Sequence, residues 1–261
     1  MTIKFARDHR TLSPLALRVE EVCLNAWPAL QEIHYDGWLI RLADGQTRRT
    51  NSANAIVRGS RPLDEKIGYC EAIYRRHALP PCFRLLAYGG ALDDELAVRG
   101  YRAEGATSTL YMSFAAHPPP APLHDVELTN GLPTDEWMAA RAAFAGAQPH
   151  ERAKIEKILQ QLALPAVFAA VRVNGSITSI AKGAVHDGVV CLNMVASDPT
   201  SLRRGHSRAC VSAILQWAAR EHRVAGACLQ VLSNNAPAIA LYESLGFRQE
   251  LYRYHYRRRA V

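Results

Sequence analysis

An arginine-rich loop, DPTSLRRGHSRA, spans residues 198–209, between a segment predicted as a strand and an apolar segment predicted as a helix. The first turn of a helix leaves backbone N–H groups unpaired and carries partial positive charge, so it stabilises a bound diphosphate. Gly205 lets the backbone approach a ligand closely, and the small Ser207 leaves room for it. Three arginines supply charge-assisted hydrogen bonds to phosphate oxygens: Arg203, Arg204 and Arg208. The loop therefore predicts a phosphate site, with a solvated turn as the alternative.

A second segment, NAPAIALYESLGF, follows about thirty residues later at 235–247. Asn235 can cap a helix, Pro237 suits its first turn, and Gly246 ends it. One face of this helix carries Ala238, Leu241, Tyr242 and Leu245. Taken alone, the pattern also fits a plain amphipathic helix with a half-buried tyrosine.

Together the two segments resemble the acetyl-CoA-binding motifs of the GNAT superfamily of N-acetyltransferases. In that family a loop of the form [Q/R]-x-x-G-x-[G/A] is followed by N-x-x-A-x-x-L-Y-x-x-x-G-F. The second pattern is matched in full, by Asn235, Ala238, Leu241, Tyr242, Gly246 and Phe247. In the first, Leu202 replaces Gln or Arg and Ser207 replaces the second small residue. The resemblance covers residues 123–261.

The resemblance implies that acetyl-CoA, as co-substrate, lies between a strand ending near Ser197 and a strand ending near Leu232. Its pyrophosphate would rest on the N–H groups of Arg203, Arg204, Gly205, His206, Ser207, Arg208 and Ala209. Its pantetheine arm would pair as a short extra strand with the backbone of Val195, Ala196 and Ser197.

The same resemblance implies direct transfer to an amine in a ternary complex. A main-chain N–H would stabilise the oxyanion when a neutral amine attacks the thioester. Asn235 would hold the pantetheine or the departing arm. Tyr242 would protonate the leaving thiolate, since a phenol has a pKa of about 10 and a thiol one of about 8.5.

The hydrophobic periodicity of the C-terminal half independently favours an α/β fold with a mixed sheet. It predicts helices over 134–144 and 153–162, strands over 167–173, 176–185 and 189–195 with turns at 174–175 and 186–188, a helix over 208–222 and a strand over 226–232. The strand, helix, strand crossover at the end implies parallel pairing, and a ligand can enter where two parallel strands part.

The N-terminal half resembles a degenerate copy of the same unit. GYRAE at 100–104 parallels GFRQE at 246–250, and an aromatic-rich strand follows each. Counting back, Leu96 takes the place of Tyr242 and Gly89 that of Asn235, so both functional side chains are missing. Before a helix predicted over 63–77, the loop RGSRP lacks the arginine-rich pattern. We interpret this half as a degenerate GNAT-like unit that shapes the structure or the substrate site, with chance similarity as the alternative. A hairpin over 36–57, turning at Asp44-Gly45, fits both.

The length of 261 residues and the hydrophobic content of 49% suit two tandem GNAT-like acyl-CoA N-acyltransferase units, of which the C-terminal one is complete. We place the degenerate domain at 1–116, a stiff linker HPPPAP at 117–122, and the acetyltransferase domain at 123–261. The sequence shows no apolar run of membrane-spanning length and no signal-peptide core. We therefore expect a cytoplasmic protein without a membrane partner.

The six cysteines show no paired metal-ligand spacing and lie mostly in apolar segments, so we expect reduced core thiols and no metal. Cys191 is a minor alternative as a nucleophile because its predicted strand leads into the proposed site. The net charge of +7 suits a surface that attracts polyanionic acetyl-CoA, and we expect no nucleic-acid partner because no such motif is present.

The general base is not identified by the sequence. A water chain is preferred, with Glu151 or His150 as weaker candidates, and His206 is interpreted as a loop residue rather than a base. A small-molecule amine or an amino acid is the expected acceptor, and a homodimer is left open. Two other classes of protein remain as alternatives, a non-catalytic acyl-CoA-binding regulatory protein and a nucleic-acid-binding module.

Overall fold

The computed structural model describes residues 12–57, 59–86 and 90–259. The helices are α1 Pro14–Asn25, α2 Leu63–Arg76, α3 Gly90–Val98, α4 Asp135–Ala145, α5 Pro149–Gln160, α6 His206–Glu221 and α7 Ala236–Leu245. The strands are β1 Gln31–Tyr35, β2 Trp38–Leu42, β3 Ala53–Ala55, β4 Cys82–Leu86, β5 Arg102–Ser113, β6 Glu127–Asn130, β7 Ala166–Val173, β8 Ser176–His186, β9 Val189–Ser197, β10 Gly226–Leu232 and β11 Gln249–Arg258. These elements form a mixed α/β fold, as the sequence predicts.

In the described part of the chain the strands form one sheet of eleven, in the order β1-β2-β3-β4-β11-β5-β10-β9-β8-β7-β6. Apolar side chains cover both faces of the β7–β10 region because alternate residues of each strand point to opposite sides. Buried residues of α1, α4 and α5 pack on one face, and those of α6 and α7 on the other. A third cluster joins α2 and α3 to β2–β4.

The two sequence halves exchange their last strands. The strand β5, which ends the N-terminal half, lies between β10 and β11, with Leu110 opposite Leu229. The strand β11, which ends the C-terminal half, lies between β4 and β5, with Tyr254 opposite Leu86. All these pairings are antiparallel. The backbone hydrogen bonds of each half are therefore completed by the other half.

The elements predicted for the C-terminal half are present, with most boundaries moved by no more than two residues. The largest shift is in α5, which begins at Pro149 because a capping box closes its first turn: the Gln148 N–H donates to the Glu151 carboxylate over 2.8 Å. The helix α7 has the predicted cap at Asn235 and ends at Gly246, whose φ of +106° suits a residue without a Cβ.

The predicted N-terminal hairpin is present, but a second hairpin precedes it. A tight turn at Asp36-Gly37 joins β1 to β2, and the predicted turn at Asp44-Gly45 begins the connection from β2 to β3, where the Gln46 N–H donates to the Ala43 carbonyl over 2.9 Å. Strands β2 and β3 do pair antiparallel, but residues 43–52 between them form a longer loop, which we call the Asn51 loop. The Asn51 Oδ1 accepts hydrogen bonds from the N–H groups of Ala43 and Gly45, at 2.8 and 3.1 Å. The predicted counterpart of Asn235, Gly89, lies outside the described residues.

Among the described residues, no helix combines the length and the apolar character needed to cross a bilayer.

The strand exchange predicts that the halves do not fold independently. We expect residues 123–261, produced alone, to be unfolded or aggregated, because β11 would lose both neighbours and β10 would present an unpaired edge. Producing residues 1–116 together with residues 117–261 should restore one folded complex, observed by size-exclusion chromatography and far-ultraviolet circular dichroism. As a control, the full chain cut after folding at a protease site placed in 117–122 should stay together. A folded, monomeric 123–261 fragment would contradict the prediction.

Candidate active site

Strands β9 and β10 are parallel neighbours that separate before they end. Their register runs from Val189 opposite Gly226 to Leu192 opposite Leu229, and no pairing continues beyond it. A bulge in β9 coincides with the separation: the pairing of β9 with β8 shifts register there, and Met194 has a φ of +56°. From Asn193 to Ser197, β9 therefore has a described strand partner on the β8 side only. The predicted ligand entry between two parting parallel strands has its structural counterpart here.

The arginine-rich loop joins the open end of β9 to α6. Arg203 and Gly205 both have positive φ, +60° and +81°, which turn the chain sharply into the helix. The first α6 hydrogen bond runs from the Ala209 N–H to the Gly205 carbonyl, and no side chain caps the helix. The N–H groups of the first turn therefore have no intrahelical acceptor. Arg203 and Arg204 are exposed beside them.

His206 is not the loop residue that the sequence suggested. It is the first residue of α6 and is buried, and its Nδ1 lies 3.0 Å from the Thr178 hydroxyl. Burial lowers the pKa of His206, and the nearby His124 and Arg204 add to this effect, so its imidazole is neutral at neutral pH. His124 contacts the backbone of the loop, since its Nε2 lies 3.0 Å from the Arg204 carbonyl oxygen.

Two further loop side chains are used differently from the prediction. The Ser207 hydroxyl lies 2.5 Å from the Ser197 hydroxyl and 3.2 Å from that of Ser179, so it ties α6 to β9 and β8 and does not simply leave space. Arg208 donates to the Ser244 hydroxyl over 2.7 Å, at the end of α7. Its guanidinium therefore contacts the end of α7, and Arg203 and Arg204 are the exposed arginines of the loop.

Helix α7 carries the second predicted motif and packs on the apolar cluster that includes residues of β9, β10 and α6. The exposed Asn235 accepts from the Ala238 N–H over 3.2 Å, so its carbonyl oxygen acts as the helix cap. Tyr242 is 8% exposed and packs edge-on against Phe247, with ring centroids 6.0 Å apart. Burial raises the pKa of Tyr242 to about 12, against a smaller opposing effect of the Arg49 charge. No described residue forms a hydrogen bond with its hydroxyl.

Arg49 is a residue of this region that the sequence analysis missed. It lies on the Asn51 loop of the N-terminal half, yet its Nη1 donates to the Asn193 Oδ1 over 3.0 Å. Its guanidinium also lies 5.8 Å from the Trp27 ring centroid. Asn193 is the first β9 residue after pairing with β10 stops. The N-terminal half therefore contributes a cation at the point where the strands part.

Comparison with known proteins agrees with this geometry. A family model described as "Probable histone acetyltransferase Rv0428c C-terminal" matches residues 17–259. The curated relative "Uncharacterized N-acetyltransferase YobR" of Bacillus subtilis (strain 168) is 23% identical over 245 residues, which cover 92% of this chain and 97% of that protein. The chain belongs to the GNAT superfamily of N-acetyltransferases.

Solved structures show the same fold. A GCN5-related N-acetyltransferase from Kribbella flavida matches with a TM-score of 0.70 and 16% identity, over 95% of this chain and 96% of that one. A tandem GNAT protein from the clavulanic acid biosynthesis pathway, solved without AcCoA, matches with a TM-score of 0.64 and 13% identity, over 85% of this chain and 77% of that one. This GNAT acetyltransferase thus shares the fold of these two proteins over most of its length.

Beneath the parting strands of this GNAT acetyltransferase lies a cluster of three buried thiols. Cys23 comes from α1, Cys191 from β9 and Cys228 from β10, and the Cys23 Sγ lies 3.9 Å from each of the other two sulfurs. All six cysteines are free and buried, as the sequence predicts. Cys191 is only 2% exposed, and this burial argues against its alternative role as a nucleophile.

A buried lysine lies next to this cluster. Lys182 is fully buried on β8, opposite Asn193, and its Nζ donates to the Ala26 carbonyl over 2.7 Å. It also lies 5.5 Å from the Trp27 ring centroid, so two cations, Lys182 and Arg49, approach one indole. Burial lowers the pKa of Lys182 to about 8, with a weaker opposing effect of Cys191.

We expect Lys182→Met to stabilise the fold at pH 7 and not at pH 10. Because the folded pKa lies below the unfolded one, the charged lysine opposes folding below pH 8, by about 3 kcal/mol, and the unfolded chain binds more protons between about pH 8 and 10.5. The methionine removes that penalty but leaves the Ala26 carbonyl unpaired, so we expect a net gain of about 1–2 kcal/mol at pH 7. Urea unfolding at both pH values measures it.

The matched control is Lys157→Met, because the Lys157 side chain is 60% exposed and its replacement should leave the free energy of unfolding nearly unchanged at either pH. If the free energies of unfolding of wild type and Lys182→Met differed by the same amount at both pH values, Lys182 would not be a buried cation.

Proposed function

We propose that this protein is an acetyl-CoA-dependent N-acetyltransferase that acetylates a primary amine of a small molecule or an amino acid, in a ternary complex. One observation carries the proposal. The unpaired edge of β9 and the uncapped N-terminus of α6 lie at the end where β9 and β10 part, and Tyr242 of α7 belongs to the apolar cluster that includes Leu192, Val195 and Ala209. These are the three kinds of group that a thioester with a diphosphate arm requires.

The cofactor is held mainly by backbone in this proposal. The diphosphate lies on the N–H groups of 203–209, and the exposed Arg203 and Arg204 pair with its oxygens. The pantetheine arm forms hydrogen bonds with Val195, Ala196 and Ser197 in the place that β10 vacates. The Asn235 carbonyl oxygen is occupied by its cap, so its amide NH₂ is the group that contacts the arm.

The transfer needs no covalent enzyme intermediate. The neutral amine attacks the thioester carbonyl, a backbone N–H stabilises the tetrahedral oxyanion, and its collapse forms the amide and breaks the C–S bond. The CoA thiolate takes a proton from the Tyr242 hydroxyl, and the proton released by the amine passes to water and restores the phenol. With a pKa raised to about 12, Tyr242 stays protonated at neutral pH, while the Arg49 charge limits the rise.

Water remains the preferred acceptor of the amine proton. The Glu151 carboxylate, one of the two side chains considered as a base, is engaged by the Gln148 N–H as a helix cap. His150 is exposed on α5. Without a dedicated base, the rate depends on the fraction of acceptor that is already neutral.

A second acceptor class follows from the family description, which names a probable histone acetyltransferase. Such an acceptor is a lysine side chain in a strongly basic protein. The net charge of +7 and the cations Arg49 and Lys182 near the site oppose it, because like charges repel. We therefore propose the small acceptor first.

We also propose that the two halves are the two GNAT-like units predicted from the sequence, with residues 1–116 as the degenerate one. The support is that each half ends in a helix followed by a long antiparallel strand, α3 with β5 and α7 with β11.

Gly205→Glu should abolish acetyl-CoA binding. The side chain would face His124 at ordinary contact distance, but the φ of +81° strains any residue with a Cβ, and the carboxylate would repel the diphosphate. We expect the dissociation constant to rise at least about 100-fold in calorimetric titration with acetyl-CoA and with CoA.

Gly131→Glu is the matched control, since Gly131 has a φ of +84° with open space around it and lies between β6 and α4. Equal loss of binding in both variants would mean that the glutamate acts through the fold. Normal binding by a folded Gly205→Glu protein would place the diphosphate elsewhere.

Tyr242→Phe should lower kcat on the order of 100-fold and leave acetyl-CoA affinity nearly unchanged, because the ring packing on Phe247 remains and only the proton donor is lost. The rate should rise with pH as the acceptor amine loses its proton, with the same midpoint in both proteins, because Tyr242 does not titrate below about pH 11. Release of free thiol across pH 6–10 measures both kcat and the midpoint of the pH profile. A wild-type kcat in Tyr242→Phe would exclude the phenol as the acid.

A further inference from the structure

Among the residues that the structure describes, Arg49 has no carboxylate partner. In the described part of the chain its polar contact is the Asn193 Oδ1, and its guanidinium otherwise meets the Trp27 ring. Its neighbour Arg48 differs, because it pairs with Glu104 at 3.1 Å and lies over the Tyr256 ring. The Nε and Nη2 of Arg49 thus have no protein acceptor among the described residues, although both are strong donors.

The position of Arg49 is fixed by hydrogen bonds that hold the Asn51 loop in one conformation. The Asn51 side chain bonds to both ends of the bend in its loop, through Ala43 and Gly45 on one side and the Gln46 and Thr47 carbonyls on the other. The Trp27 indole N–H donates to the Thr47 hydroxyl over 3.1 Å. The Arg49 guanidinium therefore lies beside the Trp27 indole and contacts Asn193 of β9.

This position is on the acyl-transfer side of the proposed site. Asn193, which Arg49 binds, is the first residue of β9 beyond the pairing with β10. The Arg49 charge also acts on the Tyr242 phenol, where it opposes the rise in pKa that burial causes. A group bound to the free side of Arg49 would therefore lie near the reacting thioester.

The local charge favours an anion there. Two cations, Arg49 and the buried Lys182, lie against the Trp27 indole, and the buried Cys191 thiol opposes part of the Lys182 charge. A planar guanidinium with two free donors matches the two oxygens of a carboxylate. The same charge repels acceptors that carry additional cations.

We propose that Arg49 is a specificity-determining residue that binds a carboxylate of the acceptor, so that the acceptor is an amino acid or another small amine that carries a carboxylate. This inference rests on the proposed acetyl transfer and adds the class of acceptor. It assigns a substrate-binding role to the N-terminal half, whose loop reaches the C-terminal site through the shared sheet.

The test uses the full-length protein with acetyl-CoA and acceptor pairs that differ only in the carboxylate: phenylalanine with phenethylamine, lysine with cadaverine, and 4-aminobutyrate with propylamine. Thiol release gives kcat/KM for each acceptor. We expect the carboxylate member of at least one pair to be preferred by about 10- to 100-fold, as one charged bidentate contact provides. Arg49→Gln should abolish this preference by raising KM for the acid alone, and Arg49→Lys should keep part of it.

Arg48→Gln is the matched control, because it removes the adjacent charge of the same loop, which faces Glu104, and should leave the preference unchanged. Calorimetry provides a readout that does not need turnover. The preferred acid should bind to the CoA-loaded wild type and not to CoA-loaded Arg49→Gln, and melting curves check that both are folded.

Several outcomes would overturn the inference. Equal kcat/KM within every pair, or equal slowing of acid and amine by Arg49→Gln, would mean that Arg49 serves the acyl group or the fold. A preference for a lysine-rich peptide over the amino acids would favour the histone-type acceptor. Failure of the proposed function is distinct, because acetyl-CoA would then give no heat and no acceptor would release thiol. The inference would fail in that case too if no carboxylate bound in an Arg49-dependent way.

Discussion

The antiparallel pairing of β5 with β10 is the constraint on which the rest of the molecule depends. It places the last strand of the N-terminal half beside β10, which borders the candidate site, and it leaves β11 on the far side of β5. Two consequences follow. The halves share one hydrogen-bonded sheet, and the Asn51 loop is carried to within hydrogen-bond distance of Asn193. A loop on an independently mobile domain could not hold a guanidinium at a fixed place relative to β9, because interdomain contacts of ordinary size permit relative motion.

From this point of β9 to the start of α6, the candidate site relies on backbone geometry more than on side-chain chemistry. Backbone N–H groups that would otherwise be paired are exposed by three features. These are the bulge at Met194, the end of the β9–β10 pairing at Leu192 and the left-handed turn at Gly205. Side chains mainly lock this arrangement: the Ser197 and Ser207 hydroxyls join β9 to α6, and His124 binds the Arg204 carbonyl. This division explains why Leu202 and Ser207 can depart from the family pattern. Leu202 is exposed and Ser207 is turned inward, so neither obstructs the first turn of α6.

The sequence predicted what is local and missed what is distant. The caps at Asn235 and Gly246, the turn at Asn174-Gly175 and the crossover from β9 to β10 follow from residue types within one or two turns of each other, and all are present. The strand exchange could not be predicted, because the alternation within β5 and β11 is the same whichever strand lies beside them. The charge of the loop arginines predicts that Arg208 binds phosphate, whereas in the structure it donates to Ser244, which lies 36 residues further along the chain. Arg49 gave no signal at all, since its partner Asn193 is 144 residues away.

The two cations around Trp27 are distant contacts of the same kind, and stability alone does not favour them. Lys182 is fully buried with one carbonyl as its hydrogen-bond partner, and Arg49 approaches the same indole, so their charges repel in a medium of low dielectric. The indole face attracts each cation but neutralises neither. Positive charge that Cys191 offsets only in part opposes folding, and an anion bound beside it would reduce that cost. The repulsion between the Lys182 and Arg49 charges opposes folding. A carboxylate bound to Arg49 would offset that repulsion, so the same electrostatic energy would favour an acceptor that carries a carboxylate.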